Sequence, residues 1–108
     1  ILGISYKADV DDIRESPALK IINILKTKDA DVFIFDPYVK KESNVKDLNE
    51  LLQKSDYIIL ATDHKEFKDI NPVKLKDNNI KIIIDGRNCL DKEKIKNLGI
   101  AYHGIGRN

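Results

Sequence analysis

Five short apolar runs alternate along this chain with stretches of helical periodicity, and that alternation limits the possible folds more than any other feature. The runs cover residues 1–5, 31–36, 57–61, 81–85 and 100–103, each about the length of a strand. They are apolar on both faces, as in parallel sheets covered on two sides. Between them, residues 17–28 space Ala18, Ile21, Ile22 and Leu25 three and four apart, the stripe of an amphipathic helix. Ser16 suits its N-cap and Pro17 its first turn. Residues 47–54 predict a second helix, with Asp47 and Glu50 spaced as a capping box; Asp63 and Glu66 repeat that spacing at a short helical turn over 64–67. A further turn is expected at 72–76, and a last helix at 91–98 ended by Gly99.

Alternating strands and helices imply right-handed crossovers. The expectation is therefore one α/β domain over residues 1–108: a Rossmann-like open parallel sheet of five or six strands with helices on both faces. An edge strand near Asn44 and Val45 gives the order 3-2-1-4-5-6. At 108 residues the chain is long enough for one core. Its net charge of +1 gives no bulk attraction to nucleic acid or to an anionic membrane. One cysteine, Cys89, excludes a disulfide framework and a multi-cysteine metal site, and points to a reducing, cytoplasmic setting. No apolar run approaches the roughly 20 residues of a membrane span. The chain opens without Met inside an apparent strand, so it reads as a fragment of a longer protein.

In an open parallel sheet the ligand lies beyond the carboxyl ends of the strands, where the strand order reverses. The residues that follow the runs are Ser5, Tyr6 and Lys7 with Arg14 further on; Asp36, Pro37 and Tyr38; Thr62, Asp63 and His64; Gly86, Arg87 and Asn88; and Gly104 to Arg107. All three arginines fall in this set. Guanidinium forks match phosphate and carboxylate oxygens, so the rim suggests an anionic ligand, plausibly phosphorylated. No Gly-x-Gly-x-x-Gly turn follows the first run, so a self-contained dinucleotide site lacks its cradle. Asp9, Asp11 and Asp12 lack the glycine and closing glutamate of a calcium loop, and no metal is expected. His64 and His103 have no nucleophile in a recognisable elbow, and Cys89 reads as a packing thiol. The residues thus describe a binding surface without a catalytic set.

At these loops the sequence resembles a known family. The stretch Gly3-Ile4-Ser5-Tyr6-Lys7-Ala8-Asp9-Val10-Asp11-Asp12-Ile13-Arg14-Glu15-Ser16-Pro17-Ala18 is similar to the opening of the C-terminal domain of the UDP-glucose/GDP-mannose dehydrogenase family. Asp36-Pro37-Tyr38, Ala61-Thr62-Asp63-His64 with Phe67, Ile84-Asp85-Gly86-Arg87-Asn88 and Gly104-Ile105-Gly106-Arg107 follow in the family's order. The wording around Asp11 to Ala18 looks most like the UDP-N-acetyl-D-mannosamine branch.

The resemblance implies a nucleotide-sugar-binding domain of an NAD-dependent UDP-sugar 6-dehydrogenase, inactive alone. Such enzymes oxidise the sugar C6 alcohol to a carboxylate with two NAD, through a cysteine upstream of this region that Cys89 does not match. UDP-glucose or GDP-mannose as substrate, or a stand-alone nucleotide-binding module, are the alternatives. The implied partners are a UDP-sugar, the N-terminal and central domains of the same enzyme and further copies of it; no nucleic acid or membrane is implied. Residue by residue, Tyr6, Lys7 and Arg87 match positions that contact the nucleotide-sugar, and Arg14 one that reaches NAD held mainly by the N-terminal domain. Asp36, Asp63, His64 and Arg107 match motifs without an assigned contact.

Overall fold

The computed structural model describes residues 1–5, 8–14 and 16–105. The helices are α1 (Pro17–Thr27), α2 (Leu48–Lys54), α3 (Lys65–Lys68), α4 (Pro72–Asp77) and α5 (Lys92–Asn97), and the strands β1 (Tyr57–Leu60), β2 (Ile82–Asp85) and β3 (Ala101–Gly104). The strands form one parallel sheet in the order β1-β2-β3, with Tyr57 opposite Ile82 and Ile82 opposite Ala101. Single parallel bridges join Leu2 to Leu60 on one side and to Phe35 on the other. The opening segment therefore runs centrally, between the segment around Phe35 and β1, and the chain reverses direction across the sheet beside it.

Three regular strands replace the five or six expected among the described residues, because side chains take the place of ladder bonds. Gly3 has φ +95°, which interrupts the extended path just after the Leu2 bridges. The next two amides, of Ile4 and Ser5, donate to Asp36 Oδ2 at 2.7 and 3.0 Å. On the neighbouring segment the Ile34 amide donates to Asn44 Oδ1 at 2.6 Å, while the Asn44 amide returns one bond to the Ile34 carbonyl at 3.0 Å. That exchange lies where an edge strand was expected, and it stays a side-chain clasp.

The helices divide unequally between the faces. On one side, Leu51 and Leu52 of α2, Phe67 of α3, Leu75 of α4 and Ile95 of α5 pack over Leu2, Ile58, Leu60, Ile83 and Tyr102. Among the described residues the other side has α1 alone, whose Ala18 and Ile22 meet Ile1, Ile4 and Ile34. Helices do cover both faces, yet β2 and β3 lie beyond the reach of α1, and Ile84 is 42% exposed. The strands expected to be buried on both sides are thus buried on one, at Ile58 and Leu60 of β1, Ile83 and Asp85 of β2 and Tyr102 of β3.

The caps follow local chemistry. Asp47 accepts the Glu50 amide at 2.8 Å, Asn71 that of Val73 at 3.0 Å and Asp91 that of Lys94 at 3.1 Å. Ser16 occupies the N-cap position of α1, but its hydroxyl donates to the Ile4 carbonyl instead. Asp63 does not cap α3, whose N-cap is His64.

Gly3 also sits against Thr62: a Cβ placed there would lie 2.5 Å from the Thr62 Cβ and 2.9 Å from its backbone nitrogen. Left-handed strain and the clash act together. Gly3→Ala is expected to destabilise the domain by about 3 kcal/mol, read as a lower midpoint in urea unfolding at unchanged slope. A shift below about 0.5 kcal/mol would contradict the close approach.

Candidate functional site

The direction reversal beside the opening segment leaves a crevice at the carboxyl ends of the central strands, where such sheets bind ligands. There the structure has an open groove of about 540 Å³. Ile59, Ala61 and Ile84 line it from the sheet, Pro17 and Ile21 from α1, and Gly86, Arg87 and Ile105 from the loops that follow β2 and β3. A second cavity of about 440 Å³ lies at the amino ends, beside Ile1, Asp31 and Tyr57.

Among the described residues Arg87 is the charged one that lines the groove, and the chain holds it from several directions. The buried Asp85 closes β2, and its Oδ1 accepts the Arg87 amide at 3.1 Å. Asp85 Oδ2 accepts the Leu90 amide at 2.9 Å and the Tyr102 hydroxyl at 2.7 Å. Asn88, at φ +53°, donates its amide group to the Ile105 carbonyl at 2.6 Å. The Arg87 Nε–H donates to the Ala61 carbonyl at 3.0 Å. Between them, a Cβ on Gly86 would lie 2.8 Å from the Leu60 carbonyl oxygen, so only glycine lets the turn lie this close to β1. A guanidinium held at Nε is already ordered before an anion arrives.

Behind the groove lies a buried polar network. Asp36 is fully buried; its Oδ2 receives the amides of Ile4 and Ser5 and lies 2.9 Å from His64 Nε2, while its Oδ1 receives the Tyr38 amide at 2.8 Å. Burial alone opposes ionisation of this carboxyl, but those amides and His64 together outweigh it and hold it below the ordinary carboxylate range. His64 Nδ1 accepts the Asp9 amide at 2.8 Å, so that nitrogen carries no proton. The proton is assigned to Nε2, which faces Asp36 Oδ2 with Ser5 Oγ at 3.0 Å. The Thr62 hydroxyl donates to the Ser5 carbonyl at 2.8 Å. This is no nucleophile triad, because the serine and the carboxylate meet the same ring nitrogen.

Of the residues singled out in the sequence, Arg87 lies in the groove. Arg14 is turned to solvent, its side chain 87% exposed and paired with Asp12 at 2.9 Å. Tyr6, Lys7 and Arg107 lie outside the described residues. Cys89 is half-buried, and burial followed by the charges of Asp85 and Asp63 pushes its thiol up to about 12. Iodoacetamide at pH 8 is accordingly expected to alkylate Cys89 at least ~100-fold more slowly than free cysteine; a free-cysteine rate would contradict that environment.

Two roles escaped the sequence: the clasp of Asp36 with His64, and that of Asp85 with Tyr102. A signal was present in both cases, since each aspartate ends an apolar run, where a carboxylate is tolerable only if backbone amides converge on it.

A parallel α/β domain with an anchored guanidinium at its reversal point falls in the class of open α/β sheets suited to an anionic ligand. The comparisons with known proteins narrow that class. Residues 1–92 match the model of the UDP-glucose/GDP-mannose dehydrogenase family, UDP binding domain, and the chain belongs to this family. It is 40% identical over 108 residues to a UDP-N-acetyl-D-mannosamine dehydrogenase of Pyrococcus horikoshii, covering 99% of this chain and 25% of that protein. It is 41% identical over 117 aligned positions to a UDP-glucose 6-dehydrogenase of Rickettsia typhi, covering 98% of this chain and 27% of that one. Among solved structures, the UDP-D-ManNAc dehydrogenase of P. horikoshii superposes with a TM-score of 0.86 at 39% identity, over 98% of this chain and 24% of that one. An NDP-N-acetyl-D-galactosaminuronic acid dehydrogenase of Methanosarcina mazei superposes with a TM-score of 0.89 at 29% identity, over 99% and 24%. The chain thus spans about a quarter of the length of these relatives.

Proposed function

We propose that this chain is the C-terminal nucleotide-sugar-binding domain of a cytoplasmic, oligomeric, NAD-dependent UDP-sugar 6-dehydrogenase of polysaccharide biosynthesis, with UDP-N-acetyl-D-mannosamine as its substrate. The observation that carries the proposal is Arg87, anchored through Nε on the Ala61 carbonyl and through its amide on Asp85, in a groove at the carboxyl ends of the strands. Its fork meets the charged or sugar end of the ligand, Ile59, Ile84 and Ile105 take the less polar parts, and Tyr6 and Lys7 contact the nucleotide-sugar from the first loop.

NAD is the hydride acceptor of this chemistry: one C6 alcohol, two NAD⁺ and one water give one carboxylate, two NADH and three protons. Of this chain's residues Arg14 suits a cofactor phosphate, being solvent-exposed and paired with Asp12 among the described residues. No glycine cradle accompanies it, so the main cofactor site falls to the rest of the enzyme.

The test is NADH formation by the full-length protein with UDP-N-acetyl-D-mannosamine, UDP-glucose and GDP-mannose in parallel. The highest kcat/KM is expected with the first. UDP-glucose is the second reading, favoured by the 41% identity to the rickettsial relative. Turnover of none of the three would overturn the proposal.

A further inference from the structure

Resting on that reading of the Tyr6 and Lys7 loop, we infer that His64 is a positioning residue of the nucleotide-sugar site, tying down both ends of the segment 5–9 with its two ring nitrogens. At the first end, Nε2 lies 3.0 Å from Ser5 Oγ and 2.9 Å from the Asp36 oxygen that also holds the Ser5 amide. At the other end, Nδ1 receives the amide of Asp9, a residue at φ +59°. The adjoining Lys65 amide donates to Asp9 Oδ1 at 3.1 Å, which fastens the same corner to α3. The ring cannot swing away. It is fully buried, with the Tyr38 ring centroid 4.8 Å away and that of Phe67 5.5 Å away.

Full burial also separates His64 from any proton transfer to substrate, since no ligand atom reaches it. A phenylalanine would fill the volume but leave the Asp9 amide without its acceptor and take one of three donors from Asp36 Oδ2. An imidazole in the Nε2–H form serves both: it accepts from the loop and donates to the carboxylate. Between these two anchors the sequence carries Tyr6 and Lys7. The proposed function assigns both to the ligand, and displacements near 1 Å can cost about 10²-fold where groups must converge on one ligand.

The two nitrogens can be tested separately in the full-length enzyme. Asparagine reaches the Nδ1 position and keeps an acceptor for the Asp9 amide; glutamine reaches the Nε2 position and keeps a donor for Asp36 only. His64→Gln is expected to raise the KM for UDP-N-acetyl-D-mannosamine about tenfold, with kcat within about threefold and the KM for NAD unchanged. His64→Asn should stay within about threefold of wild type in all three. A wild-type KM in His64→Gln overturns the inference, as does an equal rise in both variants that tracks their loss of melting temperature. Arg87→Ala separates the two ideas. If it raises the sugar KM and His64→Gln does not, only the positioning role fails; if Arg87→Ala also leaves the KM unchanged, the nucleotide-sugar reading fails. Should the variants not fold, imidazole ¹⁵N spectra of the wild-type enzyme decide: His64 Nδ1 unprotonated and shifting on saturation with UDP supports the role, and no shift overturns it.

Discussion

Arg87→Ala is expected to raise the KM for the UDP-sugar by roughly 10- to 100-fold in the full-length enzyme, the equivalent of one charge-assisted hydrogen bond or a bidentate pair. The variant removes the fork and leaves its frame, because Asp85, Tyr102 and Leu90 hold the turn through backbone and carboxylate rather than through the guanidinium. The loss should therefore fall on binding, with the melting temperature changed by little. Arg87→Lys should recover only a small part, since lysine has no Nε–H to donate to the Ala61 carbonyl while presenting a second donor to the ligand. Steady-state kinetics with the nucleotide-sugar varied at saturating NAD give the number. A KM within twofold of wild type would remove Arg87 from the site and the main support for the proposed function.

The second large effect concerns stability. Asp36→Asn keeps the shape but puts an amide NH₂ where only acceptors fit: the Ile4, Ser5 and Tyr38 amides and His64 Nε2–H all point at that carboxylate. One of them must lose its partner in a site without solvent, and the expected loss is about 4 kcal/mol, a large share of the stability of a domain this size. The same carboxylate makes the wild type acid-sensitive. Its folded pKa lies below the unfolded value of about 3.9, so its contribution is complete above that pH and disappears as pH falls through the folded value. Urea midpoints measured from pH 6 down toward pH 3 should fall more steeply for wild type than for Asp36→Asn. Parallel curves would mean that the carboxylate ionises as it does in the unfolded chain.

Much of this architecture was legible in the residues. Apolar runs and 3.6-residue periodicity place α1, α2, α4 and α5 within a residue or two, and the direction reversal beside the first run followed from the order of elements. Strand regularity was not legible, because Ile4, Ser5 and Ile34 look like ladder residues until Asp36 and Asn44 claim their amides. Nor was the bare sheet face: Ile84 is as apolar as Ile83, and only the lateral position of α1 makes one 42% exposed and the other buried. For the site, position after a strand brought out Arg87 together with Arg14 and Arg107, and the family resemblance gave it a ligand role; the structure places Arg87 in the groove and Arg14 in solvent. His64 gave no such sign. Its role depends on meeting Ser5 and Asp9, 59 and 55 positions away, and no local spacing encodes that.

The central position of the opening segment sets an order of assembly. β1, β2 and β3 are joined by short crossovers and can pair as a local unit, whereas the opening segment must close a loop of 57 residues to bring Ser5 to Thr62. Closing so long a loop carries an entropic penalty that nothing repays until Phe35 and Leu60 already flank the slot. The opening segment is therefore expected to insert late, like a keystone, with low φ-values for substitutions at Leu2 and Ile4 as the measurement that checks it. A chain without that insertion lacks the bonds from the Ile4 and Ser5 amides to Asp36, so protection of those two amides from hydrogen exchange is expected to report completed folding.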